Sequence, residues 1–113
     1  MSTRNWNFQR KNSIKYTVKT ASATLTKAEL DHGFIVGNHG SVAIALALPA
    51  ATSLYKGVEC RIANKGAANV TVVVATTGFG GGSTGADTVT LTQGDMAIIA
   101  CNGEYWFSVP AAA

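Results

Sequence analysis

The residues with the strongest claim to chemistry lie in one glycine-rich stretch, "GFGGGSTGA", over residues 78–86. Gly80, Gly82 and Gly85 satisfy the spacing GxGxxG, which in dinucleotide-binding proteins lets the backbone approach a pyrophosphate at the start of a helix. Gly81, Ser83 and Gly85 also satisfy GxSxG, the elbow that presents a nucleophilic serine where a strand turns into a helix. Both motifs need a helix directly after the loop. The next residues are instead "DTVTLT", β-branched and alternating, which is a strand pattern, so neither motif carries its chemistry. A loop that orders against a neighbour is the better account.

The other reactive side chains are sparse. His32 and His39 are the two imidazoles, and Asp31 adjoins the first. A metal site needs three or four convergent ligands, and nucleophilic catalysis needs a nucleophile with a matched base; no such set occurs at recognisable spacing. Both histidines flank glycines, which favours turn or interface roles. Glu59, Asp87, Asp95 and Glu104 fall at strand ends or outward positions, where a solvated charge is the default. Cys60 and Cys101 are too few and too far apart for a metal knuckle or a CxxC pair. They are expected as buried thiols, with a single disulfide as the alternative. Asn69-Val70-Thr71 matches a glycosylation sequon, but the opening "MSTRNWNFQRKNS" has no apolar signal region to give it meaning. The sequence thus assigns no catalytic residue, no metal, no cofactor and no small-molecule substrate.

Around these residues the dominant pattern has period two, the mark of strands. In "SIKYTVKT" the residues Ile14, Tyr16 and Val18 alternate with lysine and threonine, which predicts a half-buried strand with a basic outer face. A short helical turn is expected over about residues 27–31, followed by "FIV". In "SVAIALALP", Val42, Ile44, Leu46 and Leu48 share one face, and Pro49 ends the run because proline cannot donate to a ladder. "VECRIAN" and "VTVVVATT", joined by "NKGAAN", are expected to form a hairpin. "DTVTLTQ", "DMAIIAC" and "EYWFSV" are expected to form an antiparallel meander, with Asn102-Gly103 as a two-residue type I′ turn. Strands at spacings of about ten residues with turn signals between them indicate a sandwich or barrel. The expected fold is all-β: a single antiparallel β-sandwich or jelly-roll-like barrel of about eight short strands. Residues 1–20 would form an extended basic N-terminal arm including the first strand, and residues 21–113 the body.

Charge distribution adds functional content. Charged residues make up 13% of the 113-residue chain against a usual ~25%. That leaves too few to cover a lone small domain, so part of the surface should be buried against something else. No apolar stretch approaches the ~18 residues of a bilayer-spanning helix, and no membrane partner is expected. The charges are also segregated. Arg4, Arg10, Lys11, Lys15, Lys19 and Lys27 precede the first acid, Glu29, whereas the remainder is formally three negative. A basic arm carrying Trp6 and Phe8 suits an extended segment pressed onto a partner. Arg4, Trp6, Phe8, Arg10, Lys11 and Lys15 are therefore the candidate partner contacts. The partner could present phosphates or acidic protein, since the gain is Coulombic in both cases. The acidic body and the absence of an RNA-binding fingerprint argue against nucleic acid.

"LTKAELDHGFIVGNHGSVAIALALPAA", "GVECRIANKGAANVTVV" and "VTLTQGDMAIIACNGEYWFSV" together resemble the small β-rich modules of tailed-bacteriophage structural proteins. The likeness covers about residues 24–109 and consists of an "LT…E…G.IV" lead-in, a strand ending in "LP", a glycine before the next strand and "N.G", and a closing "G…W" hairpin. It implies one of two roles. The first is a capsid decoration (cement) protein that binds the major capsid protein on the outer surface of the virion and stabilises the shell without catalysis, as a homotrimer. The second is a receptor- or glycan-binding module of a tail or head fibre, for which Tyr55, Tyr105 and Trp106 would supply aromatic surfaces. A chain that opens on its own methionine and ends four residues after its last expected strand suits a free-standing decoration protein better. On that reading the arm clamps the shell, and Tyr105, Trp106 and Phe107, one or two of which must face outward, line the seam between subunits.

Overall fold

A computed structural model describes residues 14–74, 79 and 88–110. Among these residues the regular structure consists of nine strands in two sheets, one short helix and one 3-10 turn. The strands are β1 (Lys15–Lys19), β2 (Ala23–Thr24), β3 (Gly33–Gly37), β4 (Ile44–Leu48), β5 (Glu59–Asn64), β6 (Val70–Val74), β7 (Thr88–Leu91), β8 (Met96–Cys101) and β9 (Trp106–Val109); the helix α1 is Lys27–Leu30. The first sheet has the order β1-β3-β5-β8-β9 and the second β2-β4-β6-β7.

The all-β expectation holds, but the antiparallel one does not. β1 pairs parallel with β3, β3 with β5, β2 with β4, and β4 with β6; only β5–β8, β6–β7 and β8–β9 are antiparallel. From β1 to β6 the chain alternates between the sheets, so consecutive strands never pair and every second strand stacks parallel on the one before. Nor is there a closed barrel among the described residues: β1 and β9 end one sheet, β2 and β7 the other.

Two expected hairpins are corrected by the same alternation. β5 and β6 lie in different sheets because the intervening loop is tied sideways. Asn64 Oδ1 accepts from the Gly66 amide at 2.9 Å, and the Ala68 amide donates to the His39 carbonyl at 3.0 Å. A side chain on Gly66 would collide with the His39 backbone. Likewise Gln93-Gly94 carries the chain from β7 across to β8, held by Asp95 Oδ2, which accepts from the Thr92 amide at 3.0 Å and hydroxyl at 2.7 Å. The β8–β9 hairpin does form, over four loop residues rather than two. Cys101 pairs with Trp106, Gly103 alone has positive φ (+97°), and Asn102 Oδ1 accepts from the amides of Glu104 and Tyr105 at 2.9 and 2.8 Å. The Asn102 side chain thus closes a wider loop than the two-residue type I′ turn.

Helix α1 is specified locally. Thr26 and Glu29 form a reciprocal capping box, which satisfies two otherwise orphaned amides. The helix stops at Asp31, and His32 adopts φ +55° as the chain turns into β3.

One buried cluster draws on both sheets: Ile35, Cys60, Ile62, Ala97, Ile99, Cys101 and Trp106 from the first, with Ile44, Leu46, Leu48, Val70, Val72, Val89 and Leu91 from the second. Leu25, just before α1, and Leu30, its last residue, belong to the same cluster. The alternation in β4, β5, β6 and β8 selects these residues strictly, as period two requires. Val42, expected to extend the apolar face of β4, lies outside the strand and is exposed.

Candidate protein-interaction face

The outward faces of the two sheets differ in kind. On the second sheet the outward rows run Thr24–Ala47–Val73–Thr88 and Ala45–Thr71–Thr90, mostly small or hydroxyl-bearing. On the first sheet the register aligns Tyr16, Phe34, Arg61, Ile98 and Val109 in one row, and Val18, Val36, Ala63 and Met96 in the next. A third, on the other side, carries Glu59, Ala100 and Phe107. Tyr16 is 64% exposed, Val109 68%, Ile14 50%, and Val18, Met96, Ile98 and Phe107 lie between 38% and 47%. Large apolar side chains placed side by side on one sheet face are a surface that seeks a partner, whereas scattered ones are not.

Elements, rather than chance, build this face. β1 shows its apolar residues outward, the reverse of the expected basic outer face. The inner side of this edge strand is taken by α1: Lys19 Nζ meets Glu29 Oε2 at 2.6 Å, and Lys15 Nζ donates to the Ala28 carbonyl at 3.3 Å. With the lysines engaged by the helix, Tyr16 and Val18 must face solvent. Tyr16 packs edge-on against Phe34, with centroids 5.9 Å apart and planes at 89°, a favoured aromatic geometry. Beside this pair an open groove continues over Val36 and Ala63 to Lys65, Gln93 and Asp95. Its polar end is fixed: Gln93 Nε2 donates to the Lys65 carbonyl at 3.1 Å. The bonds from Thr92 also hold the Asp95 carboxyl below the usual range.

Two charges break the apolar face, both on the central strand. Glu59 and Arg61 are exposed neighbours on the outer side of β5, and neither has an ion-pair partner among the described residues. His32 and Ile14 border them in a shallow depression.

Those residues singled out from the sequence that the structure describes are dispersed rather than gathered into one site. Arg4, Trp6, Phe8, Arg10 and Lys11 lie outside the described residues, as do Asp87 and the glycines of both apparent motifs. Lys15 is exposed and belongs to β1, the expected first strand, which forms an edge of the first sheet. Tyr105 and Phe107 are exposed, at 41% and 40%, and only Phe107 shares the apolar face. Trp106 is fully buried and its Nε1 donates to the Pro49 carbonyl at 2.7 Å; it serves the core and is not available to a subunit seam or a sugar. Tyr55 lies half-buried against it, 5.8 Å between centroids. His39 is a turn residue whose Nδ1 accepts from the amides of Ser41 and Val42 at 3.1 and 2.9 Å. His32 sits 4.0 Å from Asp31.

Cys60 and Cys101 are free and buried. Burial, followed by the nearby Glu59 charge, pushes the Cys60 thiol up to about 12, which keeps it protonated and inert. No group of three or more His, Cys, Asp or Glu side chains able to hold a metal occurs among the described residues. No helix there is long and apolar enough to cross a membrane.

The outward stripe is not among the sequence expectations, although β8 announces it. Met96, Ile98 and Ala100 alternate with Ala97, Ile99 and Cys101, so both faces of the strand are apolar, which signals cover on both sides. No protein-family model, no curated protein and no solved structure matches the chain.

Proposed function

We propose that the protein is a non-enzymatic assembly module whose two sheets pack face to face as a β-sandwich, and that it serves as a decoration protein on the outer surface of a tailed-phage capsid. The observation that carries this reading is the apolar outer face of the first sheet. A chain with so few charges leaves Tyr16, Val18, Ile98, Phe107 and Val109 exposed together, which a solitary soluble domain has no reason to maintain. Copies join through this face. The basic, tryptophan-bearing residues that precede β1 engage the major capsid protein. Such a protein works by mass action: binding only the mature shell stabilises it by RT ln(1 + [L]/Kd), about 2.7 kcal/mol per site when free protein is about 100 times Kd.

The test is to mix the full chain with undecorated shells and sediment them, alongside a Trp6→Ala, Phe8→Ala variant. Removing the first twenty residues would confuse the outcome, because it deletes β1 from the sheet. Co-sedimentation at hundreds of copies per shell, lost in the double variant, is the expected outcome; a protein left in the supernatant refutes the capsid role. A second reading, a glycan-binding fibre module, is favoured by the groove beside Tyr16 and Phe34, where an aromatic surface meets Lys65, Gln93 and Asp95. It predicts binding on a glycan array that is abolished by Tyr16→Ala.

A further inference from the structure

The central strand of the exposed face carries one acid and one base two residues apart, and their arrangement restricts what can cover it. We propose that a second copy of this chain covers the outer face of the first sheet, related by a two-fold axis that crosses the strands at the level of Cys60, so that Glu59 of each copy meets Arg61 of the other. The pairing rests on the self-association proposed above, not on the capsid, and sets two copies where the family resemblance implies three.

The geometry comes from the register. A two-fold axis lying across the strands reverses their direction in the second copy while keeping strand opposite strand. Placed at Cys60, it sets the row of Tyr16, Phe34, Arg61, Ile98 and Val109 against the neighbouring row, which carries Glu59, Ala100 and Phe107. Val109 then meets Phe107 and Ile98 meets Ala100, each contact occurring twice, as an isologous interface requires. The two charges that interrupt the face, without an ion-pair partner among the described residues, become two reciprocal ion pairs inside an apolar surround. An axis parallel to the strands does the opposite, whether two-fold or three-fold. It brings Glu59 toward Glu59 and Arg61 toward Arg61 at equal heights, and juxtaposed like charges cost several kcal/mol. The charge pattern therefore selects the crossing axis.

Face-to-face sheets stack about 10 Å apart with strands within about 30° of alignment, a distance that Glu and Arg side chains span together. Five strands at about 4.8 Å spacing and three outward rows give a face of roughly 400–500 Å² in projection. That is large for an exposed apolar patch and smaller than the ~800 Å² per partner of a standard stable interface, which places the dimer among weak, reversible associations.

The test is the mass of the full chain by light scattering or sedimentation equilibrium in the tens of micromolar. Wild type is expected at twice the chain mass. Arg61→Glu and Glu59→Arg should each weaken the dimer by at least about 100-fold, since each sets two like-charge contacts in place of two ion pairs. The combined variant Glu59→Arg, Arg61→Glu should dimerise again, because the pairs re-form with signs exchanged. Circular dichroism confirms that each variant is folded. A wild-type monomer overturns the pairing, and one that dimerises only with Trp6 and Phe8 changed to Ala assigns the face to the chain's own first residues. A trimer also overturns it while leaving the proposed function standing. A folded double variant that stays monomeric overturns the ion-pair register.

Discussion

Replacing Asn64 by Ala should cost about 3–4 kcal/mol of folding stability, a large share of the ~5–15 kcal/mol that holds a domain of this size. Asn64 is the one buried polar side chain among the described residues, 2% exposed at the end of β5. Its Nδ2 donates to the carbonyls of Ala68 and Leu91 at 2.8 and 2.9 Å, and its Oδ1 accepts from the Gly66 amide at 2.9 Å. One amide group thus joins the end of a first-sheet strand, the loop leading into the second sheet, and the last residue of β7. The Gly66 and Leu91 bonds are buried, so truncation strands an amide and a carbonyl away from water at about 1–3 kcal/mol each, while the Ala68 carbonyl lies nearer the surface. Urea denaturation followed by tryptophan fluorescence and far-UV circular dichroism reads the effect as a lower midpoint at unchanged slope. A loss below about 1 kcal/mol would refute the idea that this side chain bridges the sheets. Asn64→Asp sharpens the test. Its carboxylate would face two carbonyls in a desolvated site, so its folded-state pKa would rise above the unfolded value. Stability would then be highest at acid pH and fall as pH climbs from about 4 to 7; a flat profile would be equally damaging.

Two further outcomes concern the titratable groups. The Glu29 carboxyl is held below its usual range, chiefly by the Lys19 ammonium and then by the Thr26 amide. A lowered folded-state pKa stabilises the fold above the ordinary carboxyl range and loses that contribution as pH falls through the folded value. Glu29→Gln should therefore cost about 0.5–1 kcal/mol at neutral pH and progressively less on acidification, as thermal melts of both proteins at several pH values will show. Cys60, raised to about 12 by burial and the Glu59 charge, should resist iodoacetamide in the folded protein and label fully in denaturant. Native labelling of Cys60 at the rate of a free thiol, located by peptide mass spectrometry, would contradict its placement in the core.

Local chemistry is legible in the sequence and topology is not, for a physical reason. Period-two alternation in "IALAL" and "ECRIAN" names the buried residues of β4 and β5 correctly, because burial acts on each side chain where it stands. The same holds for Thr26 and Glu29, whose reciprocal bonds need only three residues of chain. Whether a strand returns beside its predecessor or crosses to the other sheet is decided elsewhere, by contacts such as Ala68 to His39 and Asn64 to Leu91. Loops rich in Gly and Asn serve both outcomes. The face of β1 is illegible for a related reason. Alternation marks two sides of a strand without saying which is inward, and the lysine side is claimed by a helix further along the chain. Trp106 falls in a run of three aromatics, where alternation buries either the middle one or its two neighbours; the Pro49 carbonyl it reaches is far away in sequence.

The to-and-fro course of the first six strands also governs how the molecule comes into being. Threads laid alternately on two sides, as in lacing, leave each side unfinished until the end is drawn through. A nascent chain that has delivered β5 has built only part of either sheet, and the buried Trp106 arrives only with β9, the last of the nine strands. No early fragment can stand as a folded intermediate of its own. Folding should accordingly take milliseconds to seconds, the pace of domains built on distant pairings, and should begin in earnest only once β9 has been made.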